Sequence, residues 1–302
     1  MSTIIPLPVL ITVALAGGGI IAWVLSRRDS GWAEVTTAPE GSVLVLDLPD
    51  VHFRPLREYE IRAQADPALR QDWVDQALAQ LGGTLHAAEL WQLLTSHLRP
   101  GAPGFWPGMD LRAESLVLAG TDLRGCEVRD AVFRQVRFWG AARFDGLVCT
   151  GLVSFERCAF TYHVSFRGAE FRAGADFEGA TFMANTSFAG VTTGDVVWFD
   201  EVRFSGRTDY TGAGFAADVS FLATGFAGPT SFRDARFGGE AQFLHARFSG
   251  HADFTGATAG GFRFAGASAR TDVRLARTWP EGVSLGERGP RRPGFWAEVR
   301  EA

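Results

Sequence analysis

The chain has 302 residues, 46% of them hydrophobic, and a formal net charge of −5. This composition is typical of a folded protein with a large core. The charge is too small to indicate a strongly acidic or basic chain, and the three cysteines do not have the spacing of zinc ligands.

The first predicted element is an uncharged, mostly apolar run from Ile4 to Leu25, which is long enough to cross a bilayer as a helix. Trp23 lies where an interfacial aromatic residue is expected, and Arg27 and Arg28 follow directly. We therefore predict a transmembrane anchor at residues 1–28, with the lipid bilayer as its partner. The positive-inside rule, applied to the two arginines, places the C-terminal bulk in the cytoplasm.

A cleaved signal peptide is the alternative to this anchor. The Ala-Leu-Ala sequence at residues 14–16 resembles a cleavage site. No basic side chain precedes the apolar run, however, and the run continues well beyond that site, which favours the anchor.

Residues 29–108 are predicted to form a small α/β module. The segments Ser42 to Leu48 and Arg57 to Ala63 have the pattern of strands. Two helices are expected to follow, because residues that cap or stop helices flank two apolar stripes. These boundary residues are Asp66, Pro67, Gly82 and Gly83 for the first helix, and Thr84 and Pro100 for the second. We expect the module to cover the open strand edge of the tract that follows it and to act as a spacer; a partner-binding module is the alternative.

From Ala131 to Phe262 the sequence repeats every 11 residues, which indicates a solenoid. The first and sixth positions of each copy are small or β-branched, and the eighth is Phe in most copies. The third position is aromatic in every copy: Phe133, Phe144, Phe155, Phe166, Phe177, Phe188, Phe199, Tyr210, Phe221, Phe232, Phe243 and Phe254.

Within each repeat the apolar positions come in pairs two residues apart, which places both side chains on one face of an extended strand. The residues between the pairs favour turns. One repeat is therefore predicted to form two short strands and two corners, and two repeats to form one four-sided coil. An 11-residue period can also indicate a right-handed coiled coil, but the abundant glycine and β-branched residues argue against helices.

Just before this tract and in its first copy, Leu123, Val128, Phe133 and Phe138 follow one another at a spacing of five residues. The pattern resembles the pentapeptide-repeat family, in a Phe-centred variant with an 11-residue double repeat. The resemblance implies an all-β solenoid, a right-handed quadrilateral parallel β-helix, and almost nothing about activity.

We therefore predict the β-helix at residues 109–278, preceded by the transmembrane helix and the α/β module. Residues 279–302 are expected to close its other end, with Trp279, Phe295 and Trp296 over the last coil. The oligomeric state is left open.

No P-loop, nucleophile elbow or HExxH motif occurs in the chain. The cysteines fall on inward positions, where cysteine fills a core; they are Cys126, Cys149 and Cys158. We predict no catalytic residues, no cofactor and no metal ligands.

Residues about 22 apart are expected to stack on the outside of the solenoid. This places four carboxylates beside three apolar side chains: Glu156, Asp176, Glu178 and Asp200 beside Trp198, Leu222 and Leu244. Stacked like charges repel, and an apolar patch on a surface can mark a binding face. We predict a protein-binding site here, and the alternatives are an ordinary solvated face and a cation held by the carboxylates.

The function expected from these features is a membrane-tethered, non-catalytic scaffold for an unidentified protein partner. The family resemblance adds an alternative, a DNA-mimicking inhibitor or protector of the type II topoisomerase DNA gyrase. Such mimicry needs a strongly acidic rod, whereas 19 acidic residues face 18 arginines between Asp110 and Arg277. A nucleic-acid partner is not expected. An enzyme with its activity in residues 30–108 is the last alternative.

Overall fold

The computed structural model describes residues 12–16, 19–23, 54–82, 87–272, 276–288 and 296–301. The chain divides into two units, Met1–Phe53 and Arg54–Ala302, and the second is a compact body with its own core.

In the first unit, the described residues form two strands, β1 (Thr12–Ala16) and β2 (Gly19–Trp23), which pair antiparallel. They belong to the apolar run Ile4 to Leu25, so this part of the run is not the continuous helix that we predicted. The valine, threonine and isoleucine side chains of the run favour extended backbone. Within the described part of the chain, no helix is long and apolar enough to span a bilayer. The predicted transmembrane helix is not confirmed.

The second unit begins with helices rather than a mixed α/β arrangement. They are α1 (Arg54–Ala65), α2 (Arg70–Leu81) and α3 (Ala87–Ser96), with a short 3-10 turn at Pro67–Leu69. The two predicted helices correspond to α2 and α3. Asp66 caps the 3-10 turn that leads into α2, since its Oδ1 accepts a hydrogen bond from the backbone N–H of Ala68 at 3.0 Å. The predicted strand Ser42 to Leu48 and the boundary residues Gly83 and Thr84 lie outside the described residues.

The strand predicted at Arg57 to Ala63 is wrong, because these residues lie in α1. An alternating pattern would place Ile61 on the same face as Ala63, yet Ile61 is 71% exposed while Ala63 is buried. The second buried residue of this helix is Leu56, seven positions before Ala63 and thus two helical turns away. The Glu, Gln, Arg and Ala residues of the segment are also good helix formers.

After the helices, the chain winds into a parallel solenoid whose strands form four sheets. The first sheet contains eight strands: β3 (Leu111–Glu114), β6 (Ala131–Arg134), β10 (Val153–Ser154), β14 (Ala175–Asp176), β18 (Val197–Trp198), β22 (Val219–Ser220), β26 (Glu240–Gln242) and β29 (Gly261–Arg263). The second contains ten: β4 (Val117–Ala119), β7 (Arg137–Trp139), β11 (Ala159–Phe160), β15 (Thr181–Phe182), β19 (Arg203–Phe204), β23 (Gly225–Phe226), β27 (Arg247–Phe248), β30 (Ser268–Arg270), β32 (Val283–Arg288) and β33 (Trp296–Glu301).

The other two sheets complete the four sides. The third contains β8 (Ala142–Arg143), β12 (Val164–Ser165), β16 (Thr186–Ser187), β20 (Thr208–Asp209), β24 (Thr230–Ser231), β28 (Ala252–Asp253) and β31 (Arg277–Thr278). The fourth contains β5 (Glu127–Val128), β9 (Val148–Cys149), β13 (Glu170–Phe171), β17 (Thr192–Thr193), β21 (Gly214–Phe215) and β25 (Arg236–Phe237). An all-β parallel solenoid of about eight turns is therefore confirmed.

The length of one coil follows from the register of these sheets. Val153 pairs with Ala175, 22 residues later, as two copies per coil require. The first coil is shorter, because Leu111 pairs with Ala131 at a separation of 20 residues. The separation between paired residues is 20 at β7, 21 at β8 and β9, and 22 at β10, so one residue is added at the corner after β7 and a second at the corner after β9. Alternate corners of the later coils are therefore longer.

The interior of the solenoid consists of stacked aromatic rings. Three columns run along it, with parallel rings whose centroids are 4.5–5.5 Å apart on successive coils. The fourth column is interrupted, because Thr193 lies between Phe171 and Phe215. The predicted inward positions of the third and eighth residues are thus confirmed, and all twelve third-position rings are buried.

The fifth position of every copy has a left-handed backbone, with φ between 53 and 72°. Six copies have glycine there and six do not, among them Ala223 and His245. This conformation turns the chain between the first strand of a copy and the second, and glycine adopts it without steric cost.

The helices and the C-terminal segment lie at opposite ends of the solenoid. The side chain of Gln71 exchanges two hydrogen bonds with the backbone of Asp110, at 2.8 and 2.9 Å, and Trp91 Nε1 donates to the carbonyl of Ala119. At the far end, β33 pairs antiparallel with β30, and the Trp279 ring packs against Phe254. Phe295 lies outside the described residues.

One interior side chain does not fit the aromatic column in which it lies. Tyr210 occupies a third position that is Phe in the other eleven copies, and its buried hydroxyl has no hydrogen-bond partner among the described residues. Burial also raises the pKa of this phenol well above its ordinary value. Because a buried unpaired hydroxyl destabilises a fold, Tyr210→Phe should raise the free energy of unfolding by about 1.5 kcal/mol. Urea unfolding measures the gain.

The exposed Tyr162 provides the control, because Tyr162→Phe removes a hydroxyl from a residue that is 51% exposed. This variant should unfold within about 0.5 kcal/mol of the native protein. If Tyr210→Phe were no more stable than Tyr162→Phe, the hydroxyl of Tyr210 would have a partner in the folded protein.

Candidate functional site

The predicted binding residues lie on the first sheet and on the corner that follows it. Asp176 and Trp198 are direct neighbours on successive coils, and Ser220 lies beyond Trp198. These three occupy the second position of their copies, where a side chain points outward between two buried neighbours.

The corner residues stack in the same way. A backbone ladder joins successive coils, from Arg157 N–H to the carbonyl of Glu178 at 2.8 Å and from Gly179 N–H to that of Asp200 at 2.9 Å. The ladder continues to Leu222 and Leu244 through the next two coils. The structure therefore brings together all seven residues of the predicted site, which we name the acidic–apolar surface: Glu156, Asp176, Glu178, Asp200, Trp198, Leu222 and Leu244.

The apolar side chains of this surface differ in exposure. Trp198 is 45% exposed and Leu222 is 37% exposed, whereas Leu244 is half-buried. An indole ring exposed to this extent on a rigid strand offers a large contact area to a partner.

The four carboxylates are not equivalent. Glu156 lies within 3.7 Å of the side-chain nitrogens of both Arg134 and Arg157. Asp176 accepts a hydrogen bond from the backbone N–H of Glu178 at 2.8 Å, and Asp200 accepts one from that of Leu222 at 3.1 Å. Two carboxylates therefore hold the corners in place, and only Glu178 projects with neither an ion pair nor such a bond among the described residues.

Electrostatic repulsion acts on Asp176. Partial burial raises the pKa of its carboxyl group, and the nearby charges of Glu156 and Asp200 raise it further. A raised native-state pKa means that the folded protein holds this proton more tightly than the unfolded chain. The resulting contribution to stability is present below the ordinary carboxyl pKa of 3.8 and is lost as the pH rises through the raised value.

The consequence can be tested with Asp176→Asn. Asparagine keeps the oxygen that accepts the Glu178 hydrogen bond and removes the charge, so the variant should be more stable than the native protein by about 0.5 kcal/mol at pH 7. This gain should disappear at pH 3. Thermal unfolding at the two pH values measures it.

Asp209→Asn is the matched control. Asp209 makes the same bond to a backbone N–H two residues later, but it stacks between Ser187 and Ser231 rather than near other carboxylates. An equal gain at pH 7 from Asp209→Asn would show that repulsion within the acidic–apolar surface is not the cause.

Within the described residues, no group of three or more His, Cys, Asp or Glu side chains is placed to hold a metal ion. The three cysteines are buried and unpaired. Burial raises the pKa of the Cys126 and Cys158 thiols to about 12, and a thiol in this state is a poor nucleophile.

Sequence reasoning missed a second exposed group, on the side of the second sheet. Trp139, Tyr162 and Met183 are 55%, 51% and 54% exposed on three successive coils, and the Trp139 and Tyr162 rings are in contact at 6.1 Å between centroids. The signal was present in the sequence, because large apolar residues recur at the ninth or tenth position of alternate copies.

A family model described as "Pentapeptide repeats (9 copies)" matches residues 144–192 and 224–258. Both segments lie within the solenoid, so the coils that they cover are similar to pentapeptide repeats. No curated protein and no solved structure gives a significant match to the chain.

Proposed function

Because part of the solenoid is similar to pentapeptide repeats, we propose that this protein is a non-catalytic scaffold that binds another protein through the acidic–apolar surface. The observation that carries the proposal is the exposure of Trp198 and Leu222 on neighbouring coils of a rigid stack. Exposed tryptophan at the centre of a contact is a frequent source of binding energy.

The carboxylates around Trp198 and Leu222 favour a partner with a basic surface. Glu178 has no ion pair among the described residues, and Asp200 uses its carboxylate only for a backbone hydrogen bond. A basic partner surface with an apolar centre would cover Trp198 and Leu222 and would neutralise both carboxylates. Such complementarity mainly increases the association rate and the specificity of binding.

Rigidity is the second supporting feature. Each coil contacts its neighbours through four ladders of hydrogen bonds, so the surface is held in one geometry before a partner arrives. A preorganised surface loses little conformational entropy on binding.

Photo-crosslinking in cells tests the proposal. With a photoreactive residue in place of Ser220, the native surface should give a discrete crosslinked product, and both Leu222→Arg and Trp198→Ser should abolish it. The control is Leu152→Arg, which changes another exposed leucine, 53% exposed, at a different corner. A product of equal intensity in all the variants would contradict the proposal.

The membrane tether is a separate part of the proposal, and it rests on the uncharged run from Ile4 to Leu25 and the arginines that follow. The full chain should remain with membranes after alkaline extraction, and a variant that lacks residues 1–28 should not. Added protease should reach the solenoid only in inverted vesicles, if the solenoid is cytoplasmic. Complete extraction of the full chain would overturn the tether and leave the protein-binding proposal intact.

A further inference from the structure

Over six successive coils, one side of the solenoid carries arginines and no carboxylate. It consists of six second-sheet strands, β7, β11, β15, β19, β23 and β27, and the corner after each of them, at residues 137–141, 159–163, 181–185, 203–207, 225–229 and 247–251. These segments contain no Asp or Glu, although acidic residues occur on the other three sides. We name this surface the arginine face.

Four exposed arginines belong to the arginine face: Arg137, Arg203, Arg207 and Arg247. The carboxylates of the described residues form ion pairs with other arginines, such as Arg172 with Glu170 and Arg233 with Asp253, but with none of these four. Arg137 and Arg247 are five coils apart, or about 24 Å at the usual strand spacing. The positive charge is thus spread along the solenoid rather than gathered in one cleft.

The exposed apolar residues Trp139, Tyr162 and Met183 lie on the same face. They occupy three successive coils between Arg137 and Arg203, and the two aromatic rings touch. A ligand that covers the arginine face must therefore be anionic and must also accept apolar side chains. Tryptophan and tyrosine are enriched where proteins meet the headgroup region of a bilayer.

The arrangement favours an extended, planar ligand. A nucleic-acid strand or a peptide is usually held in a groove that follows it, whereas these side chains lie along one side of the solenoid, on its strands and on the corners that follow them. An anionic bilayer contacts all of them at once, with lipid phosphates at the arginines and the aromatic rings among the headgroups.

We propose that the arginine face is a docking surface for an anionic lipid bilayer, against which the solenoid lies along its length. This inference deepens the membrane part of the proposed function, since a tether would keep the solenoid close to a bilayer. It does not involve the acidic–apolar surface.

Flotation with vesicles tests the inference. Residues 54–302 are used, because this unit has its own core and lacks the apolar run, and a cooperative thermal transition verifies that they are folded. The unit should float with vesicles of phosphatidylglycerol and phosphatidylcholine in equal parts and not with phosphatidylcholine alone. Added salt should weaken the binding.

Variants identify the face that binds. The triple variant Arg203→Ser/Arg207→Ser/Arg247→Ser should lower the partition coefficient about 100-fold, since each arginine near an anionic surface contributes about fivefold. Trp139→Ser/Tyr162→Ser should lower it about tenfold. The matched control is Arg143→Ser/Arg167→Ser/Arg236→Ser. It replaces three exposed arginines outside the arginine face and so removes as many positive charges as the first triple variant.

Three results would overturn the inference. Equal loss of binding in the two triple variants would mean that only net charge matters. Binding of single-stranded oligothymidylate by the native unit but not by the arginine-face variant, without vesicle binding, would assign the face to nucleic acid. No binding to anionic vesicles at low salt would leave the face without a lipid role, whatever the outcome of the alkaline extraction.

Discussion

Gly228→Ala is expected to lower the free energy of unfolding by about 3 kcal/mol or more. A Cβ atom on Gly228 would lie 2.3 Å from the carbonyl oxygen of Gly206 and 2.5 Å from its carbonyl carbon. Both atoms belong to the backbone of the neighbouring coil, which cannot rotate away as a side chain could. The coils would have to separate at this corner, at the expense of their hydrogen bonds. Thermal and urea unfolding measure the loss.

The control for this variant lies in the same coil. Gly225 is three residues earlier, and a Cβ atom there meets nothing within 4 Å. Gly225→Ala should therefore unfold within about 0.5 kcal/mol of the native protein. If the two variants were equally stable, the close approach of the coils at Gly228 would not exist in solution.

Phe199→Ala should cost about 4 kcal/mol. The ring is buried in the middle of the solenoid, where it stacks on Phe177 at 4.9 Å and on Phe221 at 5.0 Å. Its removal leaves a cavity that the rigid neighbouring coils cannot close. Because each coil contacts only its neighbours, hydrogen exchange should also become faster in the coils on both sides of the defect than at either end.

The adjacent residue gives a direct comparison. Trp198 directly precedes Phe199 in the sequence, but its side chain points outward and is 45% exposed. Trp198→Ala should change the free energy of unfolding by no more than about 0.5 kcal/mol. A loss as large as that of Phe199→Ala would mean that Trp198 is part of the core and not of a binding surface.

The solenoid was predictable because its physical rule is local and repeated. Each copy places a small residue and, two positions later, an aromatic ring on the inner side of the coil, and the same pattern occurs in twelve copies. The stacking of Asp176 and Trp198 followed from the coil length alone.

Other features depend on contacts that the sequence pattern does not contain. The short segment around Ile61 alternates like a strand, but the burial of Leu56 and Ala63 selects a helix. Half of the left-handed corner positions have no glycine, so residues such as Ala223 gave no sign of their backbone conformation.

The candidate surfaces were only partly predictable for a related reason. Sequence periodicity places side chains in columns, but it does not tell which charges find partners. The structure pairs Arg134 and Arg157 with Glu156. It leaves the four arginines of the arginine face without ion pairs among the described residues, which is why the arginine face was not predicted.

The division of each coil into two copies constrains how this protein can change in length. Two copies complete one circuit, so loss of 22 residues shortens the rod by one layer, about 4.8 Å, and keeps every later residue on its original side. Loss of a single 11-residue copy would instead carry all later residues halfway around the axis, and Arg203 and Arg247 would move to the side opposite Arg137. Natural variants that preserve the distribution of charge should therefore differ in length by whole circuits.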